Sequence, residues 1–153
     1  IIYNYNLELF NFRGSIWYFS FMGFCDGTLW QKLLGVGPAL LDTVTQAQIA
    51  KADFYVEWNW LYCTAHNDLL EYLVTMGVFG AACKLLMYIL PFVMYARGKE
   101  RKPEKAAVLA ALVGYIGQGL FTGPYILTYV FYIIFLGVMC AYDRMEKAKG
   151  AKA

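Results

Sequence analysis

Hydrophobic and polar positions divide this chain into two halves of different texture. In the second half, three apolar runs, roughly 69–96, 106–121 and 125–142, are separated by short polar links. Each run approaches the ~20 residues that a helix needs to cross a bilayer. The first half is mixed. Residues 1–12 carry no assignable pattern. Ile16-Trp17-Tyr18-Phe19-Ser20-Phe21-Met22-Gly23-Phe24 is apolar but too short to cross, and suits a helix lying in the lipid interface, where Trp and Tyr are at home. Leu33-Leu34-Gly35-Val36-Gly37-Pro38 reads as a tight turn, with Pro38 opening a new segment. Residues 39–62 read as a short amphipathic helix followed by a Trp-rich loop, Val56-Glu57-Trp58-Asn59-Trp60-Leu61-Tyr62. The pattern predicts an all-α integral membrane protein, an external loop with short interfacial helices followed by three transmembrane helices.

The segment from His66 to Gly80 joins the two textures. Placed on a helix at about 100° per residue, Leu69, Leu70, Leu73, Val74, Met76 and Gly77 share one side, and Asn67, Asp68, Glu71 and Thr75 share the other. His66, the sole histidine, falls at the centre of the apolar side and is expected to point inward. Asp68 and Glu71 occupy the opening turns, where the helix dipole favours acids and disfavours an imidazolium. A neutral imidazole, the form a base needs, is therefore expected. The plain alternative is a packed histidine ending a membrane helix that runs unbroken to Ala96, with Pro91 as its kink.

Composition strengthens the membrane reading. Of 153 residues, 60% are hydrophobic, against roughly 45–50% in soluble domains, and 18% are aromatic. Charge supplies a direction. Residues 1–76 carry three basic side chains (Arg13, Lys32, Lys51) against seven acidic ones. The 97–105 link carries five basic against two acidic, and the tail from Asp143 four against two. Basic links face the cytoplasm, so 1–76 is expected outside and the C-terminus inside. The predicted organisation is an extracytoplasmic loop, 1–65; a helix entering the first span, 66–96; a cytoplasmic basic link, 97–105; a two-helix membrane hairpin, 106–142; and a cytoplasmic basic tail, 143–153. The chain opens on Ile1 without a signal peptide and reads as one that starts mid-protein.

Several chemistries drop out. The basic clusters follow membrane topology, and no nucleic-acid partner is expected. Gly35-Val36-Gly37 lacks the third glycine and the βαβ context of a dinucleotide motif. Cys25, Cys63, Cys83 and Cys140 form no Cys-x-x-Cys pair, so neither a zinc site nor a cofactor is expected. Cys25 and Cys63 share the outer side, which leaves a disulfide between them open. Lys84 lies inside an apolar run and should face protein or water. Gly114, Gly117 and Gly119 would permit close helix packing.

The order of motifs is similar to a known family. Arg13 with Ile16-Trp17, then Leu34-Gly35-Val36-Gly37-Pro38, then Ala65-His66-Asn67-Asp68 with Leu69, Gly77 and Gly80, resembles the O-antigen ligase / O-antigen polymerase superfamily over roughly residues 12–142. The resemblance implies the C-terminal part of a GT-C-like multi-span glycosyltransferase of the bacterial inner membrane, which needs no metal. Its donor would be an undecaprenyl-diphosphate-linked glycan, and its acceptor another glycan or a lipid A–core hydroxyl, handled beside membrane lipid. The resemblance makes His66 and Arg13 catalytic, and Asn67, Gly35 and Gly37 substrate-binding. Guanidinium is a fixed fork for phosphate oxygens, and an imidazole can accept a hydroxyl proton. Departures exist: Ala39 stands where a further glycine is common, and Thr75 where an acid is common. The family's other loop arginine has no counterpart here, so these residues alone are expected to be inactive.

Two other classes compete. Lys84 and the glycine-rich second span could line a transport pathway. Alternatively, the aromatic outer face could belong to a non-catalytic membrane subunit. Ligase and polymerase remain equal options, because acceptor-binding residues are not readable in the sequence.

Overall fold

A computed structural model describes residues 13–52, 63–98, 102–122 and 126–150. All regular structure in them is helical: α1 (Arg13–Asp26), α2 (Leu29–Leu34), α3 (Leu41–Lys51), α4 (Asp68–Arg97), α5 (Pro103–Phe121) and α6 (Ile126–Gly150). The expected Trp-rich loop and the centre of the basic link lie outside the described residues. The chain divides into two compact units, Ile1–Lys84 with Gly119–Gly123, and Leu85–Gln118 with Pro124–Ala153.

In the first unit, α1 packs on α3. Ile16 and Phe19 bury against Ile49, and the Ser20 and Thr45 hydroxyls meet at 3.5 Å. One apolar stripe of α1 thus faces α3, while Phe21 on the same helix stays 51% exposed. Beyond α1, α2 starts with a reciprocal cap. The Thr28 hydroxyl accepts the Gln31 N–H, and the Gln31 side chain accepts the Thr28 N–H at 2.8 Å. Gly35 ends the helix with φ 85° and ψ 176°.

The largest correction concerns α4. It is not one straight rod, because Gly77 interrupts it at φ 69° and ψ −171°. Gly35 and Gly77 therefore share a backbone region open essentially to glycine alone. The two are in contact: a Cβ on Gly35 would strike the Thr75 carbonyl, and a Cβ on Gly77 the Leu33 carbonyl. The last carbonyls of a helical segment lack intrahelical donors. Here the Val36 N–H donates to the Val74 carbonyl at 3.0 Å, and the Gly37 N–H to the Thr75 carbonyl at 2.9 Å.

The turn at Gly77 is sharp. Sixteen residues of straight helix rise about 24 Å, well beyond the reach of one lysine and one aspartate. Yet Lys84 Nζ lies 3.1 Å from Asp68 Oδ2 and 4.8 Å from the Tyr72 ring centroid. A Cβ on Gly80 would sit 3.7 Å from the Tyr72 carbonyl oxygen. Residues 68–76 therefore fold back along 78–84, and α4 is a helical hairpin with Gly77 at its apex. Asp68 (0% exposed) and Lys84 (1%) close it as a buried ion pair. The sequence expectation that Lys84 faces protein holds; its partner comes from its own helix.

Two helices are long and apolar enough to cross a membrane, Asp68–Arg97 and Thr128–Met145. Only 28% and 11% of their apolar windows are buried within the chain. Core helices of a soluble protein would be covered; exposed apolar surface of this extent fits lipid. Of the three expected spans, α5 is the one that falls short. Its apolar part, 106–121, rises about 24 Å, against a hydrocarbon layer of roughly 30 Å. Among the described residues, a Cβ at Gly114 or Gly117 would meet open space. All four cysteines are free.

In the second unit, tyrosines join the helices. The Tyr132 ring lies 4.6 Å from that of Tyr115 and 6.3 Å from that of Tyr88, centroid to centroid. The Tyr132 hydroxyl donates to the Met87 carbonyl at 2.6 Å. Met87 is four residues before Pro91, so its carbonyl is the one that proline deprives of a donor. Around Pro91 the backbone keeps helical dihedrals, and within α4 only Gly77 departs from them.

Two stability predictions follow from these breaks. Gly35→Ala and Gly77→Ala each lower thermal stability in detergent, by at least the ~1–3 kcal/mol of a forbidden backbone conformation. The double variant costs less than their sum, because both damage one contact. Tyr132→Phe costs about 1–3 kcal/mol by orphaning the Met87 carbonyl. In a Pro91→Ala background, where the helix supplies its own donor, the same substitution costs little. Equal losses in both backgrounds would refute this role.

Candidate functional site

The site is built from Ala65 outward. Ala65 is fully buried in a cluster with Leu41 and Val74, and Val36 packs against them. Both its backbone groups are held. Its N–H donates to Glu71 Oε2 at 3.1 Å, and its carbonyl accepts the Trp17 indole N–H at 2.9 Å. Next to it, the Asn67 side chain caps α4 by accepting the Leu70 N–H at 3.0 Å, and donates to the Leu120 carbonyl at 3.0 Å.

His66 is fixed between these two anchors, at φ 48°. That left-handed conformation costs a residue with a side chain roughly 1–2 kcal/mol. It persists where neighbours over-determine it, and such outliers cluster at functional sites. His66 also precedes the first residue of α4, so its expected place on a helical wheel is withdrawn. The loop, not the helix face, aims the ring. Among the described residues it makes no side-chain hydrogen bond.

Arg13 opens α1, one turn before Trp17, and residues four apart share a helix face. The Trp17–Ala65 bond therefore brings the start of α1 beside His66. The Arg13 charge reaches the ring. Burial holds the His66 pKa below 6.5, and the nearby guanidinium lowers it further. The half-buried imidazole is thus neutral at neutral pH. Neutrality was expected from the helix dipole; its causes are desolvation and a neighbouring cation.

Gly35 and Gly37 lie apart from this pair in role. The Gly35 N–H donates to the Gln31 carbonyl at 2.8 Å, and the Gly37 N–H to that of Thr75. Both donors are committed to protein carbonyls, as is the Asn67 amide. What the structure shows for these three residues is backbone support of His66 and of the α4 hairpin.

Comparison with protein-family models, with curated proteins and with solved structures finds no match. Residues 13 and 66 come from separate elements, and the Arg13 charge acts on a neutral, half-buried imidazole. That combination can hold a phosphate-bearing group while accepting a proton from a hydroxyl. Sequence reasoning missed Trp17 and Glu71 as the residues that hold Ala65. The four-residue spacing of Arg13 and Trp17 was the available signal.

The single histidine makes the electrostatics measurable. Its NMR titration midpoint is expected below 6.5. Arg13→Gln raises the midpoint without restoring it to 6.5, since burial remains; Arg13→Lys leaves it low. Because the folded pKa is depressed, the His66 contribution to stability is intact above about pH 6.5 and declines as pH falls toward the folded pKa. An unchanged midpoint in Arg13→Gln would separate the two groups.

Proposed function

We propose that this chain is the C-terminal part of a lipid-linked glycan transferase of the O-antigen ligase or polymerase type. In this reading the protein sits in the bacterial inner membrane with three spans, the shorter α5 accommodated by local thinning of the bilayer, residues 1–76 outside and the C-terminus in the cytoplasm. It moves a saccharide from undecaprenyl diphosphate to a hydroxyl of a glycan or of lipid A–core. The convergence of Arg13 and His66, with His66 strained, half-buried and neutral, carries the reading; the order of motifs supports it.

The chemistry assigns each group one task. His66 accepts the proton of the acceptor hydroxyl as its oxygen bonds to the anomeric carbon of the donor. The bond from that carbon to the diphosphate oxygen breaks, and Arg13 takes up the charge left on the phosphate. A base neutral at neutral pH and a permanently charged cation suit this division. Keeping the cation next to the base also prevents premature protonation. Transport through Lys84 is the weaker reading, because the buried pair with Asp68 already accounts for that cation.

The test is glycan transfer by the full-length protein in membranes. His66→Ala is expected to lower transfer by about 10²–10⁴-fold, and Arg13→Ala to abolish it, both with unchanged protein in the membrane. Transfer falls on the acid side as His66 protonates. Wild-type transfer in both alanine variants would end the proposal.

A further inference from the structure

A second surface of the first unit is unaccounted for. On α2, Leu29 and Trp30 are each 70% exposed and Leu34 is 60% exposed. A soluble surface rarely offers such neighbours together. Leu33–Gly35 is in backbone contact with the Gly77 apex, from which the apolar half of α4 departs. Met76, Val78 and Phe79, on either side of that apex, are exposed as well. The apolar surface of α2 is thus continuous with the start of the helix able to cross the membrane. Two backbone hydrogen bonds, Val36 to Val74 and Gly37 to Thr75, fix it there.

We infer that α2 is a membrane-surface anchor, with Leu29, Trp30 and Leu34 set into the acyl boundary of the lipid leaflet at the Gly77 end of the helix. Trp is favoured at that depth, its ring amphipathic and its N–H in reach of water or headgroups. Lys32, in the last turn of α2, has the charge and length to reach lipid phosphate. This role belongs to α2 and not to α1, whose Trp17 donates its indole N–H to the protein. Its consequence is positional. The Gly35–Gly77 contact transmits the depth of α2 to the hairpin apex, and so sets the height of the α4 N-terminus beside His66. The inference needs the membrane but not glycan transfer, so either can fail alone.

The test labels the full chain with 5-fluorotryptophan in nanodiscs of phosphatidylcholine and phosphatidylglycerol. The four tryptophan resonances are assigned by single Trp→Phe variants; Trp30→Phe alters an exposed side chain and leaves the packing intact. Two broadening agents are compared, a nitroxide near the head of a lipid acyl chain and an aqueous gadolinium chelate. The expected result is loss of the Trp30 signal with the lipid nitroxide, weaker broadening by gadolinium, and a Trp17 signal less affected by the nitroxide than that of Trp30. Broadening of Trp30 by gadolinium at least equal to that by the nitroxide overturns the inference. So does a Trp30 signal insensitive to both, which would mean that protein, either a partner or a second copy, covers α2.

Discussion

Satisfying the backbone where α4 is broken governs much of this structure. A helix able to enter lipid must keep its carbonyls paired, because hydrocarbon offers no donor. This helix is interrupted chemically twice, by Gly77 and by Pro91, and each interruption leaves carbonyls without their usual partners. The chain answers both from elsewhere. The turn after α2 gives the N–H groups of Val36 and Gly37 to Val74 and Thr75. Tyr132 gives its hydroxyl to Met87. The first repair requires glycine on both sides of the contact. The second requires a hydroxylated ring at one position of α6.

The first repair also shapes the candidate site. Folding back at Gly77 carries Asp68 to Lys84, where two charges costly to bury alone neutralise each other. A buried pair of this kind adds little net stability but is strongly destabilising to break. Its value here is geometric. It fixes where the short arm of the hairpin starts, and the residues just before that arm are Ala65, His66 and Asn67. Glu71 on the arm and Trp17 on α1 then grip Ala65 from opposite sides. The imidazole is placed by backbone restraint, with its ring free of hydrogen bonds to other described residues.

Electrostatics in this arrangement keep the His66 ring neutral. Arg13 beside His66 gains nothing for the fold, since a guanidinium next to an imidazole disfavours protonating the ring.

What could be read from the sequence was local or compositional. Apolar run length and low charge announced helices fit for a membrane, and two of them are present because hydrophobicity and length are properties of a segment by itself. The α3 helix and the inward-facing Lys84 were legible for the same reason. Candidate chemistry at Arg13 and His66 could be named, but not joined. Their approach depends on a Trp17–Ala65 hydrogen bond between residues 48 positions apart. The helical wheel misled at His66, which precedes the helix, and at Thr75, which is buried. Whether a glycine within a helix bends the chain depends on what packs against it. Gly77 turns sharply because Gly35 lies against it and Val36 and Gly37 supply donors, whereas Gly114 and Gly117 meet no neighbour among the described residues. Periodicity describes one helix at a time; a contact between two backbones exists only once the chain has folded.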